Sequence, residues 1–342
     1  MTTDLGERRK GRLLSLFLVA GVLGAIAAVT TAIESRSLRG DAASGAVLPN
    51  LEASVADARR IVVISREASY QIERTQRGGA EVWVMRDRGD YVVADARVEQ
   101  FINGLEAFRY TRRMTSDAAK YERLGVGDPR EGGGGVLVQV EGGRGALLVN
   151  LILGIEPGGT YVRRPDEAQA FAAAGELPPL RDPAAWLDLR PLLLAPERLA
   201  RVEIMPAEGR AYILSRENAE TPWRISAPSL APISESVVAA AAERLTRVAP
   251  IDVQTAPAIQ GAPRARIRAT TFDGVIIDAE IVSNGEAMWL KLVARPQAPE
   301  QDAAALEINN RSSAWAYGLG GEDVEALAPP LSALIGTAPV NR

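Results

Sequence analysis

The spacing of apolar residues changes period several times along the chain. Ile61-Val62-Val63-Ile64 is a short apolar run, Tyr70 and Ile72 alternate with polar neighbours, and Glu81-Val82-Trp83-Val84-Met85 is a third stretch of this kind. Short runs rich in β-branched and aromatic residues predict strands. Val98, Ile102, Leu105 and Phe108 then recur at helical spacing, so an amphipathic helix is expected to pack on the preceding strands. Asp95 sits where its N-cap belongs.

The same order returns further on. Val202 with Ile204, Tyr212-Ile213-Leu214 and Trp223-Arg224-Ile225 read as three strands, and Ser234 can cap a helix faced by Val238, Leu245 and Val248. A constant offset of 140 relates Ile64 to Ile204, Trp83 to Trp223, Val98 to Val238 and Leu105 to Leu245. This agreement of strand, Trp and helix positions predicts a duplicated β-β-β-α unit.

β-Hairpin material follows each copy. Val136–Glu141 and Ala146–Leu151 flank Gly142-Gly143-Arg144-Gly145. Asp273-Gly274 and Asn284-Gly285 are strong turn dipeptides, and they divide Ala265–Phe272, Val275–Val282 and Ala287–Val293 into a three-stranded meander. A Trp315-Ala316-Tyr317 strand comes next, then a short helix from Glu322 to Ala328 stopped by Pro329-Pro330, and one more apolar turn with Leu331, Leu334 and Ile335.

The N-terminal pattern differs. Leu13 to Ile33 is 21 residues without a charge, and as a helix it would span about 30 Å, the thickness of a bilayer core. Arg8, Arg9, Lys10 and Arg12 outnumber Asp4 and Glu7 ahead of it, which keeps that side in the cytoplasm and sends the rest across. A cleaved signal peptide ending near Ala25-Ile26-Ala27 is the competing reading, but the apolar run continues six residues past Ala27. Arg8-Arg9 lacks the apolar residue a twin-arginine signal needs soon after the pair. Ala20, Gly24, Ala28 and Ala32 fall four apart on one face, a spacing that lets a partner membrane helix approach closely. Small residues are also common in any apolar leader.

Composition narrows the chemistry. The 342 residues suit about two domains, and 47% hydrophobic residues is enough for packed cores, which excludes wholesale disorder. There is no Cys and no His, so disulfides, thiolate nucleophiles, imidazole bases and Cys or His metal sites are excluded. The first twelve residues carry a net +2, so the remainder carries −6, which makes nucleic acid a poor partner.

The remaining candidates are weak. The Gly132 to Gly135 run precedes a strand and lacks a following Gly-Lys-Ser/Thr, so it reads as a flexible turn and not a phosphate loop. Gly125-x-Gly127 has no third Gly at dinucleotide spacing. Asp87 with Asp90, Asp182 with Asp188, and Glu322 with Asp323 are acid pairs of the kind glycosidases use, but they lie in turns or at helix starts. Lys120 and Lys291 have no Ser-x-x-Lys partner, and no calcium loop occurs. Arg264, Arg266 and Arg268 alternate with apolar residues, which fits either a solvated strand face or a basic stripe. Trp83, Trp186, Trp223, Trp289 and Trp315 read as core anchors, with a stacking platform for sugar or lipid as the functional alternative. No catalytic, cofactor-binding or metal-binding residue is singled out, and no cofactor is expected.

Several blocks in order carry a resemblance. The strand–Trp–helix block from Ile61 to Phe108 is followed by Tyr121-Glu122-Arg123-Leu124-Gly125 with Asp128-Pro129, by Tyr161-Val162-Arg163, and by Leu180-Arg181-Asp182 leading to Leu189-Arg190-Pro191-Leu192-Leu193. Val202-x-Ile204 then reopens the pattern, and the Trp315-Ala316-Tyr317 strand also fits. Together these resemble domain-of-unknown-function family 4340 from about Ile61 to Val253. Val126 after Gly125 departs mildly from the family's usual Gly-Leu-like pair. The resemblance implies a membrane-anchored, extracytoplasmic bacterial protein encoded beside an ABC transporter of the gliding-motility auxiliary type. Its partners would be an ATPase, a permease and a second exported auxiliary subunit. The family supplies no catalytic or binding residues.

The expectation is therefore an α+β protein. One N-terminal transmembrane helix precedes two related β-β-β-α plus β-hairpin units with antiparallel sheets. Residues 1–12 form a cytoplasmic basic tail, 13–33 the anchor, 34–57 a juxtamembrane linker, 58–195 the first repeat unit and 196–342 the second. Placed in the bacterial inner membrane with its bulk in the periplasm, it would act as a non-catalytic scaffold or substrate-handling subunit of an ABC transport system. A cell-envelope glycan- or lipid-binding module and an exported carboxylate-based hydrolase are the alternatives.

Overall fold

A computed structural model describes residues 43–156, 159–285 and 287–335. The expected span 13–33, with Ala20, Gly24, Ala28 and Ala32, lies outside the described residues. Among the described residues no helix is long and apolar enough to cross a membrane.

The architecture is mixed α+β with few helices and two antiparallel sheets. A short helix α1 (Leu51–Ser54) precedes strands β1 (Ala58–Ile64), β2 (Ser69–Arg77), β3 (Ala80–Met85) and β4 (Tyr91–Val92). Helix α2 (Asp95–Ala107) leads to β5 (Arg109–Arg113), β6 (Val136–Gly142), β7 (Leu147–Glu156), β8 (Gly159–Arg163) and β9 (Ala170–Ala174). Then come β10 (Leu199–Met205), β11 (Tyr212–Ser215), β12 (Arg224–Ala227), β13 (Ser229–Leu230), helix α3 (Glu235–Glu243) and β14 (Asp252–Thr255). The chain continues through β15 (Pro263–Thr271), β16 (Val275–Asn284), β17 (Ala287–Pro296), α4 (Asp302–Ser312), β18 (Trp315–Leu319) and α5 (Gly321–Leu327).

Strand order is β4-β3-β2-β1-β6-β7-β8-β9-β5 in one sheet and β13-β12-β11-β10-β15-β16-β17-β18-β14 in the other. Every strand of the second sheet is thus the counterpart of the strand nine earlier in the first. The register agrees in detail. β1 slips its pairing with β6 between Ala58 and Arg60, and β10 slips its pairing with β15 between Leu199 and Arg201. That irregularity makes Val63, not Ile64, the equivalent of Ile204. Val63 and Ile204 are both buried, whereas Ile64 corresponds to the exposed Met205. The offset is therefore 141 in this strand and not the constant 140 read from sequence. A one-residue slip matters because it moves a side chain to the other face of the sheet. In β2 and β11 the offset becomes 142, since Ile72 pairs with Met85 as Leu214 pairs with Ile225. For Trp83/Trp223 and for the helices it is 140, and Val98, Leu105, Val238 and Leu245 are all buried.

A side-chain pair repeats as well. The Arg74 guanidinium lies 6.0 Å from the Trp83 ring, and Arg216, its counterpart, lies 4.6 Å from the ring of Trp223. A cation on an indole face is attractive and shields the ring from water.

Contacts group the chain into two units, Met1–Ser69 with Glu99–Arg181, and Tyr70–Val98 with Asp182–Arg342. In the first unit, Val47, Leu48 and Leu51 are buried, and Val47 donates its N–H to the Phe108 carbonyl at 3.0 Å. Part of the span expected as linker is therefore packed, because three apolar side chains in five residues find cover there. The connection of residues 114–135 lies over one face of β6 and β7, where Val126, Leu137, Ile152 and Ala170 form a cluster flanked by Tyr121 and Leu124. This is why Val136, Leu137 and Val138 are buried consecutively, without alternation.

Gly132 to Gly135 belongs to this cover. Gly133 N–H donates to the Asp128 carbonyl at 2.8 Å and Gly135 N–H to the Gly127 carbonyl at 3.0 Å. A Cβ at Gly133 or Gly135 would overlap the backbone of Gly127. The run is a close-packed junction and not the flexible turn expected, since only glycine lets the two backbones approach so closely.

In the second unit the corresponding connection is the short stretch 256–262. β15 alternates exposed Arg264, Arg266 and Arg268 with buried Ala265, Ile267 and Ala269. Helix α3 starts as expected, with Ser234 Oγ accepting from Val237 N–H at 3.3 Å. Helix α2 does not start at an Asp cap. The Ala94 carbonyl accepts from the N–H groups of Arg97 and Val98, and Asp95 is the first helical residue, where its charge still favours the helix N-terminus.

Candidate functional site

Within the second unit a cleft of about 800 Å3 is lined by β4, the start of α2, the segment after Trp186, α4 and the start of β18. That volume falls in the range of small-molecule sites. Strand β4 directs Tyr91 inward and leaves Val92 exposed. The Tyr91 ring meets Trp315 edge-on at 4.8 Å and Tyr317 at 6.3 Å. Its hydroxyl donates to the Asp188 carbonyl at 2.7 Å, while the Tyr317 hydroxyl donates to the Arg311 carbonyl at 2.9 Å. The two phenols thus hold the backbone of the two residues whose side chains carry the charge. Burial pushes both phenols above the ordinary tyrosine range, so both remain neutral donors.

Asp188 is shared by two guanidinium groups. Arg190 binds it through Nε at 2.6 Å and Nη2 at 2.8 Å, and Arg311 approaches through Nη1 at 3.3 Å. The bidentate hydrogen bonds from Arg190 hold the carboxyl below its ordinary value, and the charges of Arg190 and Arg311 act in the same direction. Arg77, Arg97 and Arg198 also line the cleft, with Asp95 and Glu307 opposing them. Arg198 is tied to Asp273 at 2.6 Å.

The acid pairs weighed from sequence do not act together. Asp87 accepts from Gln71 N–H at 2.7 Å while Asp90 pairs with Arg86 at 2.9 Å. Asp182 accepts from Ala184 N–H at 2.9 Å, away from the arginine pair of Asp188. Asp323 pairs with Arg244. Lys120 pairs with Asp117, and Lys291 donates to the Ile259 carbonyl at 2.6 Å. The arginine stripe of β15 is matched by acids on β16: Arg266 meets Glu280 at 2.9 Å and Arg268 meets Asp278 at 2.6 Å. Trp186, Trp223 and Trp289 are buried, whereas Trp83 and Trp315 are partly exposed.

Sequence reading missed Tyr91 and the Asp188–Arg190–Arg311 group. Asp188-x-Arg190 is a local signal that was available. Arg311 has none, because its place beside Asp188 depends on how α4 packs.

A family model described as Domain of unknown function (DUF4340) matches residues 83–259, more than half of the chain. The chain belongs to the DUF4340 family. The DUF4340 region begins at Trp83 in β3, so it contains Tyr91, Asp188 and Arg190, while Arg311 and Trp315 lie beyond it. No curated protein and no solved structure matches the chain.

Proposed function

We propose that this DUF4340 protein is a membrane-anchored periplasmic auxiliary subunit of an ABC transport system, which presents or handles a substrate without converting it. The observation that carries the reading is Asp188, clamped between Arg190 and Arg311 in an open cleft. A carboxylate held ionised by two cations serves recognition. A general acid needs the opposite shift, toward a raised pKa, so the hydrolase reading has less support. The uncharged run from Leu13 to Ile33 behind four cations supports the anchor, with the N-terminus cytoplasmic and the body in the periplasm of a bacterial inner membrane. The partners proposed are a permease, an ATPase and a second exported auxiliary subunit, met in part through Ala20, Gly24, Ala28 and Ala32.

The test is recovery of the full-length tagged protein from native membranes in mild detergent, read by mass spectrometry. A permease and an ATPase should come with it and be lost when Gly24→Leu and Ala28→Leu are combined. Recovery of the protein alone, with neither subunit, sinks the reading.

A cell-envelope glycan- or lipid-binding module is a second reading, favoured by Trp315 beside Tyr91 in the cleft wall. It predicts saturable changes in Trp emission with envelope glycans or lipids in the absence of any transporter subunit.

A further inference from the structure

Five arginines and three carboxylates line the cleft of the second unit, and Arg198 is paired with Asp273 outside that lining. At its centre one carboxylate, Asp188, serves two guanidinium groups, which leaves one positive charge uncompensated there. Arg190 spends Nε and Nη2 on Asp188. Arg311 engages only Nη1, at 3.3 Å to Asp188 and 3.4 Å to the Arg190 carbonyl. Among the described residues its Nε and Nη2 make no hydrogen bond. A guanidinium fork with open N–H groups matches a carboxylate or a phosphate group in shape and charge.

The backbone around this group is fixed. Tyr91 holds the Asp188 carbonyl and Tyr317 holds that of Arg311, so the carboxylate and the Arg311 guanidinium project from tethered positions, and Arg190 is held through its bidentate bond to Asp188. Such preorganisation lowers the entropic penalty of binding. The cleft is also far larger than a lone ion requires, and Tyr91 and Trp315 give it an aromatic wall.

We propose that this cleft binds a small organic ligand through an oxyanion, a carboxylate or a phosphate ester, that bridges Arg311 and Arg190 while its body rests against Trp315 and Tyr91. The assignment goes beyond the transporter reading and does not depend on it, because every residue it uses lies in one unit of this chain.

Three probes with one sugar ring separate the possibilities: glucuronate, glucose 6-phosphate and neutral glucose, titrated calorimetrically into the full-length protein in detergent. Saturable binding of glucuronate alone assigns a carboxylate, binding of glucose 6-phosphate alone assigns a phosphate ester, and binding of both supports the shared oxyanion chemistry. Arg311→Gln should weaken binding about tenfold or more, as expected for loss of a charged hydrogen bond. Arg268→Gln, on the paired stripe of β15, should leave it unchanged. Arg190→Gln is the second variant, since that side chain is two-thirds exposed and tolerates change should Arg311→Gln fail to fold. Absence of binding by both anionic sugars, glucose binding as tightly as they do, or anion binding unchanged in folded Arg311→Gln or Arg190→Gln overturns the proposal.

Discussion

The indole Nε1 of Trp186 donates to the phenol oxygen of Tyr70 at 2.8 Å, across 116 positions of sequence. Both side chains are fully buried, with rings edge-on at 6.3 Å. The repeat places Tyr212 at the position of Tyr70, and its hydroxyl donates to the Pro329 carbonyl at 2.7 Å. In each copy a tyrosine at the start of the second strand ties down a segment that follows the last strand of the sheet. Tyr70→Phe takes the acceptor from a buried indole, so a loss of about 1–3 kcal/mol is expected in urea unfolding; Tyr212→Phe should lose about 1 kcal/mol. If Tyr70→Phe unfolds at the wild-type midpoint, this bond does not hold the segment.

Trp289 gives the contrasting case. Its Nε1 is buried and has no hydrogen-bond partner among the described residues. Its cluster with Ile259, Val282 and Ala316 is wholly apolar. Trp289→Phe removes an unsatisfied donor along with some packing, and the two effects oppose each other. The expected loss is under about 1 kcal/mol, smaller than that of Trp186→Phe. Thermal unfolding of the two variants side by side decides it, and an equal or larger loss at Trp289 contradicts the account.

Arg163 is 7% exposed, and its hydrogen bonds all run to backbone carbonyls, those of Val126, Arg164, Pro165 and Glu167. Its guanidinium lies 4.4 Å from the Tyr121 ring, and the Tyr121 hydroxyl donates to the Ala168 carbonyl. One side chain thus pins the 114–135 cover to the turn between β8 and β9. Arg163→Met should destabilise by about 2–3 kcal/mol, from lost charged hydrogen bonds and unpaired carbonyls. Arg163→Lys keeps the charge but not the fork, so it should recover only part of this. A wild-type unfolding curve for Arg163→Met counts against the pinning role.

Asp188 sets a pH dependence. Its carboxyl is lower in the folded chain than in the unfolded one, chiefly through the hydrogen bonds of Arg190. The unfolded state therefore binds the proton more readily. The stabilisation is fully present above the unfolded value near about 4 and is lost as pH falls through the lower folded value. The stability difference between wild type and Asp188→Asn should be flat from neutral pH down to about 5 and narrow below about 4. A gap that stays constant through that acid range contradicts the assignment.

Elements with strong local signatures are legible in the amino-acid sequence. Apolar runs marked β1, β3, β6 and β16, helical spacing marked α2 and α3, and the Asp273-Gly274 and Asn284-Gly285 turns divided the meander. The order of the repeat is legible too, because strand, Trp and helix recur together. Short or polar strands were not legible. β5 reads Arg-Tyr-Thr-Arg-Arg and is a strand only because β9 offers it hydrogen bonds. The exact equivalence of the repeats was hidden because irregular pairing changes the offset from strand to strand, which a single spacing cannot express.

Tertiary structure alone decided the rest. Gly132 to Gly135 reads as a loose turn until Gly127 packs against it, since the requirement for glycine at Gly133 and Gly135 comes from a neighbouring backbone and not from local conformation. The cleft gathers Tyr91, Asp188, Arg190, Arg311 and Trp315 from positions more than two hundred residues apart. Composition and periodicity say which side chains are apolar or charged. That Arg311 joins Arg190 on the Asp188 carboxylate is fixed only when the packing of α4 brings it within hydrogen-bonding distance.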